Sequence, residues 1–276
     1  MTPPSLLLAK RATALKLIAS KCVCYDGAVF LSGFRTRGRY LLVRKRWMAI
    51  LALSVAFCIC LPGGRAGTGQ NRGPLTLEGA LKQLDAAAKD FHSLSAEMER
   101  TKVTVVVNDH STETGSILVR GDKMLLEIKP PDARTILRTG DSIYIYNPGL
   151  KRVEEYNLGK NRDLFDQYLL LGFGTKGSEL HKGYLVTLMG EPVIDDKKTV
   201  ELELTPKSET VRSNISKIDI WFDESSWLPV QQQFFETGSG DYFTIRYSRV
   251  VRNPDLGEAH FKPHWPKGTE KIRPQG

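Results

Sequence analysis

The chain has 276 residues, 41% hydrophobic, 9% aromatic and 25% charged. That composition is ordinary for a globular protein and excludes a collagen-like, coiled-coil or wholly disordered chain. The net charge of +8 sits at one end: residues 1–66 hold 11 of the 39 Lys and Arg and one of the 31 Asp and Glu, leaving 28 bases against 30 acids in residues 67–276, which excludes a basic nucleic-acid-binding protein.

In chain order, residues 44–66 read RKRWMAILALSVAFCICLPGGRA. Arg44, Lys45 and Arg46 form a positive head, and Ala49 to Leu61 is an uncharged apolar run. Pro62, Gly63 and Gly64 break it, and small residues flank Arg65 as at a cleavage site. This is the pattern of a secretory signal peptide. The run is shorter than the ~20 apolar residues of a membrane span. The expected division is therefore an upstream extension over 1–42, with translation beginning at Val43, a signal peptide over 43–66, and a folded part over 67–276 outside the cytoplasm. Cys22, Cys24, Cys58 and Cys60 all precede residue 67, so the folded part has no disulfide framework, cysteine-held zinc or thiol nucleophile. Phe57 before Cys58 and Ile59 before Cys60 do not suit lipidation of this chain itself.

Thr76 is a good N-cap, with Glu78 in the first turn. Leu77, Ala80, Leu81, Leu84, Ala87, Ala88 and Phe91 follow at helical spacing. From Leu94 the period becomes two, and the β signal continues through Val107 to a turn at Asn108-Asp109-His110. Gly115–Arg120 and Lys123–Ile128 flank Gly121-Asp122 as a hairpin, and Pro130 and Pro131 end the second strand. Short strands are expected over Thr135–Arg138, Ser142–Tyr146 and Arg152–Tyr156. Asp163–Gly172 breaks the pattern as a short apolar helix. Strands resume over Gly183–Met189, Thr199–Thr205, Ser216–Phe222, Val230–Glu236 and Tyr242–Val251, and residues 257–276 read as an extended segment. The sum is a mainly β fold of about eleven antiparallel strands in a curved sheet or barrel, with one leading helix and one inserted helix.

Candidate chemistry is sparse. Gly172-Phe-Gly-Thr-Lys-Gly177 has the GxGxxG spacing, but a dinucleotide site needs a strand before the glycines and a helix opening at them; a helix is expected before them instead. Glu258, His260 and His264 are separated by Pro263, which forbids the helix that would align the two histidines. Adjacent acid pairs such as Glu154-Glu155 point to opposite faces of a strand and cannot converge on one bond. No catalytic residue, cofactor site or metal site is expected. What stands out is apolar surplus, in the helix, in one face of the sheet and in Asp163–Gly172, which suits an enclosed cavity as well as a filled core.

The order of features resembles the LolA family of periplasmic outer-membrane lipoprotein carriers. The resemblance runs through Phe91-His-Ser-Leu94, Gly115-Ser-Ile-Leu-Val-Arg120, Lys129-Pro-Pro131 and Ile136 to Pro148. It continues through Leu204-Thr-Pro-Lys207, Ile218-Asp-Ile-Trp-Phe-Asp223 with Leu228-Pro229, and Phe261 leading to Pro266-Lys-Gly-Thr269. It implies an unclosed antiparallel β-barrel whose helices enclose an apolar cavity for acyl chains. The implied cavity residues are Met124, Leu126, Ile143, Ile218, Ile220 and Phe222. The implied helical lid is Leu164, Phe165, Tyr168, Leu169 and Leu171. Arg120 is the nearest match to the arginine that latches the lid in family members, although Gly121-Asp122-Lys123 follows it where the better-known carriers have Arg-Pro and an aromatic. The implied partners are acylated lipoproteins or lipids, an inner-membrane ABC lipoprotein exporter and an outer-membrane receptor, with the protein a monomer in the periplasm. An envelope sensor with the same lipid-binding fold, or a carrier of a non-lipoprotein lipid, is the alternative. A hydrolase and an anchored acceptor fit less well.

Overall fold

The structure is a computed structural model and describes residues 74–159 and 170–274. The expected extension and signal peptide lie outside the described residues, as do Leu164, Phe165, Tyr168 and Leu169 of the expected lid. The chain enters through α1 (Leu77–Lys89), with Thr76 Oγ1 accepting the Gly79 N–H at 3.1 Å. Its Ala80, Leu81 and Leu84 are buried, as the helical spacing predicts. The far end is held by the sheet: Arg252 donates to the Ala87 carbonyl at 2.5 Å and Asn253 to that of Asp90 at 2.6 Å. Those donors meet carbonyls that a helix end leaves without an internal partner.

Thirteen strands follow among the described residues. They are β1 (Ser93–Thr104), β2 (Asp109–Arg120), β3 (Lys123–Ile128), β4 (Arg134–Thr139), β5 (Ser142–Asn147), β6 (Arg152–Asn157), β7 (Tyr184–Gly190), β8 (Val193–Ile194), β9 (Lys197–Pro206), β10 (Ile215–Asp223), β11 (Pro229–Glu236), β12 (Tyr242–Arg252) and β13 (Glu270–Ile272). In space the order is β13-β6-β5-β4-β3-β2-β1-β12-β11-β10-β9-β7, with β8 paired to β9. All pairings are antiparallel except β13 on β6. This is one large unclosed sheet, running from β13 at one edge to β7 at the other. It exceeds the expected eleven strands by the two shortest, β8 and β13, which are too brief to show a period.

Two further departures have local causes. The β signal was expected to run through Val107, but Val105–Val107 turn as a 3-10 element, closed by Asn108 in the left-handed conformation (φ 49°). Three β-branched residues favour a strand, yet the hairpin must reverse here, and Asn tolerates positive φ. The stretch before β7 forms α2 (Gly177–Gly183), and Glu209–Arg212 forms the single turn α3.

Alternation along the strands sets the faces. Inward residues form two apolar clusters. One joins Leu94, Ala96 and Met98 of β1 to Ile117, Val119, Met124, Ile136, Ile143 and Tyr156. The other joins α1 and Leu180 of α2 to Val200, Leu202, Leu204, Ile218, Ile220 and Phe222. On the outer face, Phe261 and Leu256 cover Leu137.

Candidate functional site: an apolar cavity with a cationic end

Between the two clusters lies a cavity whose wall is built strand by strand. Met98 and Arg100 come from β1, Ile117 from β2, Met124, Leu126 and Ile128 from β3, and Arg134 and Ile136 from β4. The opposite wall is Gln232 and Phe234 from β11 with Phe243, Ile245 and Tyr247 from β12, and Phe173 projects in from the segment before α2. Register explains the grouping: Met98 faces Tyr247, Gln232 faces Ile245, and Phe234 faces Phe243, on which it stacks with centroids 4.7 Å apart. The space left is about 80 Å³, well below the roughly 300–1,000 Å³ of ordinary small-molecule sites. In this conformation the interior is nearly filled.

Among the described residues, Phe173 of the segment 170–175 projects into the cavity. Leu170–Gly172 are turn residues, and Leu171 and Phe173 are buried. Phe173 meets Tyr247 edge-on at 5.3 Å. Gln232 Nε2 donates to the Leu171 carbonyl at 2.8 Å, and the Tyr247 hydroxyl donates to Gln232 Oε1 at 2.7 Å. Thr175 Oγ1 accepts the Gly172 N–H at 3.0 Å and donates to the Leu170 carbonyl at 3.3 Å. Burial pushes the Tyr247 hydroxyl far above the usual tyrosine range, so it stays a donor to Gln232. The glycines of this stretch serve close approach. Gly172 has φ +86°, and a Cβ there would lie 2.7 Å from Ile220 Cδ1; at Gly177 it would lie 2.3 Å from the Leu81 carbonyl oxygen of α1. The GxGxxG spacing is thus occupied by packing.

The cavity wall is polar where β1 and β4 supply Arg100 and Arg134. Arg134 grips Glu113 through both Nη1 and Nη2 at 2.8 Å, and Arg100 Nη1 donates to Glu113 Oε2 at 2.9 Å. The Arg100 guanidinium also lies over the Phe243 ring, 4.8 Å from its centroid. Burial works to raise the Glu113 carboxyl, but Arg134 and Arg100 outweigh it and hold it below the ordinary carboxylate range. Arg100 and Arg134 are the only charged side chains lining the cavity among the described residues.

Of the residues named from sequence, Met124 and Leu126 line this cavity. Ile143 is buried in the same cluster but does not line it. Ile218, Ile220 and Phe222 fill the second cluster, because α1 and α2 cover that half of the sheet. Leu171 is buried in a turn, and its carbonyl is the group that Gln232 holds. Arg120 forms an ion pair with Glu258 at 3.0 Å, which Lys123 shares at 2.5 Å, so this pair joins β2 to the C-terminal segment. Sequence reasoning missed Arg100, Glu113, Arg134, Gln232 and Tyr247. Charged and amide residues on strands read as solvent-facing; the available signal was parity, since Arg100, Arg134, Gln232 and Tyr247 share the parity of the inward apolar residues of β1, β4, β11 and β12.

Comparison with known proteins gives several matches. A family profile described only as "Uncharacterized protein" matches residues 120–253. An outer-membrane lipoprotein carrier protein of Dechloromonas aromatica is 25% identical over 195 residues, 70% of this chain and 88% of that protein. A LolA superfamily protein of Nitrosomonas europaea has 16% identity and a TM-score of 0.37, over 68% of this chain and 98% of that one. MucB in the MucA/MucB complex of Pseudomonas aeruginosa has 15% identity and a TM-score of 0.39, over 68% and 61% respectively.

Proposed function

We propose that this chain, a LolA-like protein, is a periplasmic carrier that shields the acyl chains of lipoproteins during transfer from the inner to the outer membrane. The observation that carries the reading is the apolar interior lined by Met98, Ile117, Met124, Leu126, Ile128 and Ile136 and stopped by Phe173. The sequence match to a lipoprotein carrier supports it. In this reading the cargo arrives from an inner-membrane ABC exporter, leaves to an outer-membrane receptor, and undergoes no reaction on the carrier.

The physics of the task suits such an interior. Each methylene taken out of water contributes about 0.8 kcal/mol, so a sixteen-carbon chain gains roughly 12 kcal/mol before ordering costs. The closed interior is too small for that chain, so loading requires Phe173 to withdraw. The chain then replaces Phe173 against Met124 and Tyr247. Among the described residues, the side-chain bond that release of the segment breaks is that from Gln232 to the Leu171 carbonyl. A gap of a few kcal/mol between closed and open states permits both loading and release.

Native mass spectrometry of the protein isolated from periplasm without detergent tests the reading. Acylated lipoproteins bound in one-to-one ratio are expected. Recovery of free lipid alone would replace the lipoprotein with a lipid as cargo. A protein that binds neither, even after incubation with purified lipoprotein, would overturn the proposal.

A further inference from the structure

An interior built for hydrocarbon alone gains nothing from guanidinium groups, yet two stand in this one. Arg100 and Arg134 are each more than nine-tenths buried and face the same apolar space as Ile128 and Ile136. Burying a charge is costly, and hydrophobic residues of similar volume in place of a buried ion cluster are often neutral or stabilising. A buried ion cluster is thus weak evidence for a role in stability alone, and its position on the cavity wall directs attention to a ligand.

Their placement fits one ligand chemistry. Glu113 orients both: it takes two parallel bonds from Arg134 and one from Arg100. The Phe243 ring fixes the plane of Arg100 from the other side. A guanidinium presents five N–H donors in a rigid fork that matches the spacing of carboxylate and phosphate oxygens. Along β3 the cavity wall runs from Ile128, the register partner of Arg134, to Met124 at the other end of the strand, which packs with Val119 and Leu94. The interior is thus amphipathic along β3, with cations at the Ile128 end and hydrocarbon at the Met124 end.

We infer that the cavity takes a single-chain or few-chain amphiphile with an anionic head, whose oxyanion pairs with Arg100 and Arg134 while its hydrocarbon lies along Met124 and Ile136. The inference rests on the lipid-binding reading above and narrows it: a carboxylate or phosphate on the cargo contributes to recognition.

Displacement of the neutral apolar dye N-phenyl-1-naphthylamine, measured by fluorescence at pH 7.5 on the delipidated protein, separates the possibilities. Dodecanoate and dodecyl phosphate are expected to displace it at concentrations at least ten-fold below dodecanol, although the alcohol is the more water-averse. The order of the two anions distinguishes a fatty-acid head from a phosphate head. Inorganic phosphate alone is expected to displace nothing, since the chain is required. Arg134→Met is expected to erase the anion preference. Glu113→Gln keeps both arginines, serves if Arg134→Met fails to fold, and is expected to widen the preference by removing a competing carboxylate. Equal displacement by alcohol and anions in the unmodified protein, or an unchanged preference in Glu113→Gln, would overturn the inference and leave lipid binding standing. A protein that binds neither dye nor any chain would overturn the lipid-binding reading itself, and the inference with it.

Discussion

Gln232 is the residue on which the closed interior turns. Its amide nitrogen holds the Leu171 carbonyl and its oxygen receives the Tyr247 hydroxyl, so an apolar replacement leaves two buried polar groups without that partner. Leaving one such group unmet costs about 1–3 kcal/mol. Gln232→Leu is expected to loosen the 170–175 segment more than the sheet. Amide hydrogen exchange at Gly172 and Phe173 should accelerate at least ten-fold while exchange in β1 and β2 stays near its original rate. Uniform acceleration would mean that Gln232 supports the whole fold and does not hold the segment in particular. Gly177 illustrates a different constraint at the same scale. A methyl group there meets the backbone of Leu81, which cannot turn aside as a side chain can. Gly177→Ala should cost about 1–3 kcal/mol, the usual range for overpacking, read as a lower melting temperature. The cost should fall if α1 is freed by Asp85→Ala, which removes the bonds from Ser178 to Asp85 at 3.0 and 3.2 Å.

Among the elements, β13 is held to the sheet by charge more than by burial. It pairs with β6 over three residues, and Glu155 of β6 receives Arg273 at 2.6 Å, Lys271 at 2.9 Å and the Tyr144 hydroxyl at 2.9 Å. These contacts, Arg273 first, hold the Glu155 carboxyl at about 2. Its folded value lies below the unfolded one, so the attachment is fully present above about pH 4.5 and is lost as pH falls toward 2. β13 is expected to detach in that window, and Trp265, stacked on Tyr146 at 5.2 Å, should report it by fluorescence before the sheet unfolds by circular dichroism. Glu155→Gln should remove the step; a step that persists in the variant would assign it to another carboxyl. The same contrast explains what the sequence revealed of the fold. α1 and the long strands carry a cap or an apolar period, and both are visible in single residues such as Thr76 or in the alternation from Leu94 to Met98. β13 has only Ile272 as an apolar residue and depends on Glu155, more than 110 residues away, so no local pattern announces it. Val105–Val107 misled because composition favours a strand where topology requires a reversal.

At the scale of the molecule, the sheet has two halves that are covered differently. α1 and α2 cover the half that holds Ile218, Ile220 and Phe222, and there the apolar faces meet and fill one another. The half around Met98, Met124 and Leu126 has no such helix among the described residues; Phe173 is buried in it and Leu170 packs against it, while Leu171 belongs to the other half. Parity along the strands marked both halves as inward but did not say which one a helix would cover, and that is why Met124 and Leu126 line the cavity and the β10 residues do not. Phe173 can be tested as the stopper of the open half. Truncating a buried phenylalanine costs about 3–5 kcal/mol, which for a folded part of this size lowers the melting temperature by roughly 6–20 °C at about 2–4 °C per kcal/mol. A bound chain stabilises the folded state by RT ln(1 + [L]/Kd). If Phe173 competes with the chain for one space, Phe173→Ala lowers the stability of the empty protein yet tightens chain binding. Saturating hexadecanoate should then raise the melting temperature more in the variant than in the original protein. If Phe173 is instead a wall against which the chain packs, the variant binds more weakly and recovers less. The sign of that difference decides whether the segment before α2 displaces the cargo or holds it.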